Sequence, residues 1–140
     1  MKRYIWVIIT VAFIGLVGAY FYAGRNVSAP ISGDKSDLIK VFNVSANQLV
    51  KSPLVVKGEA RGYWYFEASF PVKVLDADGT VLGQTPAQAK GEWMTENFVP
   101  FEATLEFKIA KSNSGWLVLE KDNPSGLPEH DDELRIPIRF

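Results

Sequence analysis

Cysteine is absent from the 140 residues. That absence excludes disulfides, thiol nucleophiles and zinc–thiolate sites. It also excludes a lipoprotein, because lipid attachment at a processed amino terminus needs a cysteine. Redox compartment stays open, and a body of about 100 residues holds its core without staples. Histidine occurs once, at His130. No glycine-rich phosphate loop occurs, and no cofactor motif is present. Charge of one sign is also lacking, since the formal net charge is −1. The distribution is uneven: Asp37 to Phe140 carries 11 Lys and Arg against 15 Asp and Glu. The first 36 residues carry Lys2, Arg3, Arg25 and Lys35 against Asp34 alone. A mildly acidic body gains nothing from counterion release on a phosphate backbone, so no nucleic-acid partner is expected.

Long apolar runs are scarce, with one exception. Tyr4 to Gly24, YIWVIITVAFIGLVGAYFYAG, carries no charge over 21 residues. As a helix it would span roughly 31 Å, about one hydrocarbon core. Tyr4 and Trp6 at one end and Tyr20 and Tyr22 at the other suit two membrane interfaces. The expectation is a transmembrane signal-anchor over residues 1–24. Lys2 and Arg3 favour the inside for the amino end, which puts the carboxyl-terminal part outside the cytoplasm. The alternative is a cleaved signal with Val17-Gly18-Ala19 as the cut site and a secreted product. Cleavage there would leave a hydrophobic stub, so span length favours the anchor. A buried core helix is the third reading.

Residues 25–37, RNVSAPISGDKSD, have the composition of a flexible linker, reaching about 20 Å. Asn26-Val27-Ser28 and Asn43-Val44-Ser45 match the N-glycosylation pattern, which has meaning only in a eukaryotic secretory setting.

Residues 38–140 alternate as strands do. Leu38 to Val44 is a first strand, and Pro53 to Glu59 a second, with Leu54 and Val56 on one face. Gly58 marks a close backbone approach. The stretch Arg61 to Leu75 places Trp64, Phe66, Ala68, Phe70, Val72 and Val74 at every second position. It predicts one long strand with that stripe on the core. Pro71 cannot donate to a ladder, which predicts a bulge or an edge there. Asp78-Gly79 predicts a hairpin turn. Gly83 and Pro86 predict an irregular edge as far as Ala89. Lys90 to Pro100 is an interruption. Phe101, Ala103, Leu105, Phe107 and Ile109 form a second stripe. Asn113-Ser114-Gly115 turns the chain into Trp116 to Glu120. Leu134 to Phe140 is the last strand, with Pro137 at an edge or pointing outward. About seven short strands separated by turns predict an all-β sandwich.

Particular residues carry a resemblance. Ser52-Pro53-Leu54-Val55-Val56-Lys57-Gly58-Glu59-Ala60, Phe66-Glu67 and Asp76-Ala77-Asp78-Gly79 resemble the immunoglobulin-like domain family of bacterial spore-germination proteins. Phe101 to Phe107 and Ile136-Pro137-Ile138 are similar to it as well. The resemblance covers Leu38 to Phe140. It implies an immunoglobulin-like β-sandwich outside the cytoplasm of a bacterium, with no established catalytic residues. Members often accompany a second germination-type domain, for which this chain has no room.

Candidate sites are sparse. His130 lies in Pro128-Glu129-His130-Asp131-Asp132-Glu133 and could serve as a base, although a solvated loop is the simpler reading. The loop Asp122 to Glu133 offers oxygens for calcium but lacks the alternate spacing of an EF-hand, so no metal site is expected. Trp93, with Tyr63 and Tyr65, could stack on a sugar or anchor a protein. The competing reading folds Trp93 over the end of the sandwich. Glu67 could be a lone acid of raised pKa, with Arg61 the simpler expectation as its partner. No pair of carboxylates spans a cleft as glycoside hydrolysis requires. The expectation is therefore a non-enzymatic, membrane-anchored extracytoplasmic module that contacts proteins or envelope polymers. A glycan-binding module using Tyr63, Tyr65 and Trp93 is the alternative, and a small hydrolase using His130 the third.

Overall fold

The computed structural model describes residues 33–140. The expected membrane anchor and the first part of the expected linker lie outside the described residues. Among the described residues, no helix is long and apolar enough to cross a membrane.

The described residues form eight strands in order: β1 (Ile39–Val41), β2 (Gln48–Leu49), β3 (Leu54–Arg61), β4 (Ser69–Asp76), β5 (Val81–Ala89), β6 (Phe98–Leu105), β7 (Ser114–Glu120) and β8 (Glu133–Arg139). Short 3-10 helices span Gly62–Trp64 and Pro128–His130. Hydrogen bonding links the strands in the order β1-β3-β6-β5-β4-β7-β8-β2. All pairings are antiparallel except β2 with β8. β5 and β6 share only the pairs Gln88↔Glu102 and Ala89↔Phe101. At that short junction the ladder turns a corner. β1-β3-β6 then lies over β5-β4-β7, and the apolar faces meet. Phe70 of β4 touches Phe101 of β6 edge to face, with ring centroids 4.9 Å apart. Val56, Val72, Val74, Leu105, Leu117 and Leu119 are fully buried around that contact. Each such side chain contributes roughly 1.5–3 kcal/mol.

Gly58 sits where a backbone closes in, as its position in β3 predicts. A Cβ there would lie 2.0 Å from the Lys40 carbonyl oxygen. The Asp78-Gly79 turn joins β4 to β5, with Gly79 at φ 87° and Asp78 Oδ1 accepting from the Thr80 N–H.

Other expectations are corrected. Arg61 to Leu75 is not one strand. β3 stops at Arg61, the chain makes a turn of 3-10 helix, and a two-residue turn at Glu67-Ala68 starts β4. The N–H of Phe66 donates to Ser69 O, and that of Ser69 to Phe66 O. The reversal throws Phe66 outward, to 41% exposure, while Phe70, Val72 and Val74 stay in the core.

Pro71 is not at a bulge, because the irregularity falls at Val74/Leu75, but it does lie on an edge, since Ser69 to Pro71 pair with β5 alone. Pro71 stands opposite Pro86. Two prolines can face each other without losing a bond only at a pair that exchanges none, with both nitrogens turned to the far sides. Pairing with β7 begins one residue later, at Val72, and pairing of β5 with β6 begins at Gln88, so both far sides are vacant there. β5 runs for nine residues, and the expected irregular edge is present in it: up to Ala87 it pairs with β4 alone, and the ladder skips Leu82 between Gly83 and Val81.

The second stripe ends early. β6 stops at Leu105, and Ile109 is 96% exposed. The chain is drawn away because the Asp76 carboxylate accepts the Lys111 N–H at 2.8 Å and Leu82 O accepts the Lys108 N–H at 3.1 Å. The first strand shrinks to three residues, and β2 is an addition to the expected seven.

Candidate functional site

Antiparallel pairing sorts the loops to two ends. The end where the described chain begins collects residues 33–38, 62–68, 90–97 and 121–132. Backbone bonds tie these loops together. Gly62 N–H donates to Asn97 O at 3.1 Å, Ala89 N–H to Ala68 O at 2.9 Å and Asp122 N–H to Trp64 O at 3.0 Å. Gly62 is needed for this closure, because a Cβ there would lie 1.8 Å from Thr95 O and 2.4 Å from Trp93 O. The last residues of the expected linker are held too. Arg61 Nε donates to Asp37 O at 2.9 Å, and Lys35 pairs with Asp132.

The three aromatic candidates separate here. Tyr65 is buried, and its hydroxyl donates to Val99 O at 2.6 Å. Burial pushes its phenol pKa up beyond the ordinary range. Its ring packs edge to face on Phe70 at 5.1 Å. Tyr65 is a core residue and leaves the candidate contact set. Trp93 is half-buried against the core, the reading in which it folds over the end of the sandwich. Tyr63 is exposed on the 3-10 helix.

Two residues join this end that alternation had not singled out as surface contacts, the exposed Phe66 and Met94. Met94 carried no periodic signal. Phe66 was hidden by a turn that lacks glycine and asparagine. Glu67 and Ala68 take φ of 49° and 63°, the left-handed region that L-residues rarely adopt. Beneath them Trp64 is fully buried, and its indole N–H has no acceptor among the described residues. Left-handed non-glycine residues and unpaired buried donors both cost stability, and such costs cluster at functional sites.

The acidic groups at this end are differently engaged. Glu67 does not pair with Arg61, whose guanidinium stacks 4.0 Å over the Phe98 ring and bonds Asp37 O. Burial, with the nearby charge of Glu67 also contributing, raises the Asp122 carboxyl pKa. The loop that offered oxygens for calcium is organised around Asn123. Its Nδ2 donates to Leu127 O at 2.8 Å and Asp131 Oδ1 at 2.7 Å, and its Oδ1 accepts from Ser125 Oγ. A cleft of about 470 Å³ lies beside it, lined by Lys35, Glu120, Lys121, Asp131, Asp132 and Glu133. Among the described residues no group of three ligating side chains could hold a metal ion. His130 ends the exposed second 3-10 helix. At the other end, the Asn43 amide of the second glycosylation triplet bonds Val55 O and the Lys57 N–H, both at 2.8 Å.

The family comparison adds to this geometry. Residues 38–126 match the immunoglobulin-like domain of bacterial spore germination. The chain belongs to this family. The match spans β1 to β7 and stops short of β8. Neither a curated protein nor a solved structure matches the chain. Membership makes this an all-β immunoglobulin-like domain of the spore-germination type.

Proposed function

We propose that the chain is a membrane-anchored, extracytoplasmic immunoglobulin-like module that binds a protein or envelope partner, in germination or a related envelope process, and catalyses nothing. The observation that carries this reading is the end where the described chain begins. Four loops are fastened together there, and Tyr63, Phe66 and Met94 are left in solvent. An ordered loop platform with exposed apolar side chains suits binding. Several polar groups that chemistry could use, Asn123, Asp131 and Asp132 among them, are occupied by internal bonds. The uncharged run from Tyr4 to Gly24 supports the tether, since residue 33 of the domain follows it closely.

Fractionation of cells carrying a carboxyl-terminally tagged chain tests the address. The expected result is an alkali-resistant membrane protein whose domain is cut by protease added to protoplasts. Recovery in the soluble cytosol would overturn it. The His130→Gln variant is expected to complement a deletion fully. A glycan-binding reading keeps Tyr63 and Trp93 in adjoining loops and loses Tyr65. Retention on purified cell-wall polymer, abolished by Trp93→Ala, would favour it.

A further inference from the structure

The loops at the two ends differ in charge as well as in form. Residues 33–38, 62–68, 90–97 and 121–132 hold nine acids against Lys35, Lys90 and Lys121. The loops at the opposite end, 42–53, 77–80 and 106–113, hold Asp78 and Glu106 against Lys51, Lys108 and Lys111. Exposed Tyr63, Phe66 and Met94 therefore sit among exposed Glu67, Glu92 and Glu96. Of the basic groups nearby, Lys35 is engaged by Asp132 and Arg61 by Phe98 and two carbonyls, which leaves Lys90 and Lys121 against the nine acids.

We infer that this end docks a cationic protein segment that also carries apolar side chains. The inference deepens the binding reading above by naming the partner's chemistry and the face it meets. A lipid surface is the other occupant an apolar patch suggests. An excess of six acidic groups at this end disfavours it, because anionic headgroups repel that charge. Opposite charge on a partner would speed encounter and fix register, and the apolar centre would supply contact area.

The absence of cysteine makes a direct test available. Met94→Cys in the full chain gives one site for an environment-sensitive dye, and Ile109→Cys gives one at the opposite end. Both are reconstituted in nanodiscs of neutral lipid and titrated with a synthetic lysine–leucine peptide, against empty nanodiscs as reference. A saturable blue shift is expected at position 94 and none at position 109. Combining Glu67→Gln, Glu92→Gln and Glu96→Gln should weaken the apparent affinity at least tenfold, and raising salt should weaken it further. Tyr63→Ser with Phe66→Ser should do the same. Should that pair fail to fold, the exposed glutamine variants still decide. The inference falls if a lysine–serine peptide binds equally well, if position 109 responds alike, or if the glutamine variants bind unchanged. It also falls if phosphatidylglycerol nanodiscs alone shift the dye at position 94, which would identify a lipid contact. Fractionation decides the membrane address separately, so losing either result leaves the other standing.

Discussion

The two ends of the sandwich close their loops with different degrees of local cost. At the end away from the linker, a carboxylate does it. Asp76 is 2% exposed, and its oxygens accept the N–H groups of Ala77 and Lys111 at 2.8 Å each. Its left-handed positions are taken by Gly79 and Asn47, residues that tolerate them. At the linker end, close contact at Gly62, backbone bonds, the Asn123 amide and the Lys35–Asp132 pair share the work. Two ordinary residues sit in left-handed backbone there, and among the described residues the Trp64 indole N–H has no acceptor. One end is satisfied; the other carries local cost beneath exposed apolar side chains. The difference separates the end that secures the fold from the end available to a partner.

The largest effect should come from confusing the core with that exposed rim. Phe70→Ala removes a fully buried ring that meets both Tyr65 and Phe101, and should cost about 3–5 kcal/mol. Phe66→Ala, four residues earlier and on the rim, should stay within about 0.5 kcal/mol. Chemical denaturation of the two variants checks the pair. Equal losses would erase the boundary drawn at the Glu67-Ala68 turn.

Gly62→Ala should follow. The added methyl meets two backbone oxygens that have nowhere to yield without moving residues 93–95. Overpacking of this kind costs about 1–3 kcal/mol. Proteolysis should open the 90–97 loop of the variant while the β4–β7 ladder keeps its hydrogen-exchange protection.

The two ends should also part with pH. Bonds from the Lys111 N–H, then from Ser112, hold the Asp76 pKa below its ordinary 3.8. A depressed carboxylate adds stability that is full above its unfolded pKa and is lost as pH falls through the folded one. Asp122 has the opposite sign, because burial raises its pKa. Its contribution is full below about pH 3.8 and is lost as pH rises through the folded value. Asp76→Asn should therefore lower Tm at neutral pH and flatten its acid limb. Asp122→Asn should raise Tm slightly at neutral pH. Thermal melts from pH 2 to 7 read both.

These contrasts also mark how far alternation can be read. Val72, Val74, Phe101, Ala103 and Leu105 are buried on the face their spacing assigns, because a pleated strand fixes direction residue by residue. Spacing does not say where a strand ends. Ile109 keeps the period of Leu105, yet Asp76 pulls its segment off the sheet through Lys111, a partner 35 residues away. Phe66 keeps the period of Phe70, yet a turn with no turn-forming residue intervenes. Trp93 was visible as a candidate because an aromatic in a polar loop stands out, and Tyr63 and Tyr65 because alternation set them on the outer face opposite Trp64 and Phe66. Tyr65 shares that alternation with Tyr63 and is buried instead, its hydroxyl donating to the Val99 carbonyl across the sandwich. The parallel β2–β8 pairing depends on tertiary contact alone.

The smallest effect is the most specific to the comparison. Ala68 has no side-chain bond to compensate its φ of 63°, and a left-handed L-residue costs roughly 1–2 kcal/mol. Glycine adopts that backbone freely but loses more entropy on folding, which offsets part of the gain. Ala68→Gly should therefore stabilise the domain by about 0.5–1 kcal/mol in urea melts. Asn47→Gly at the other end should change little, because asparagine already tolerates its φ of 61°. If the linker end holds its left-handed turn so that Phe66 and Glu67 face outward, the stabilised variant should keep the wild-type peptide affinity in the dye assay. A gain in stability with weakened binding would mean that the strained backbone itself shapes the docking face.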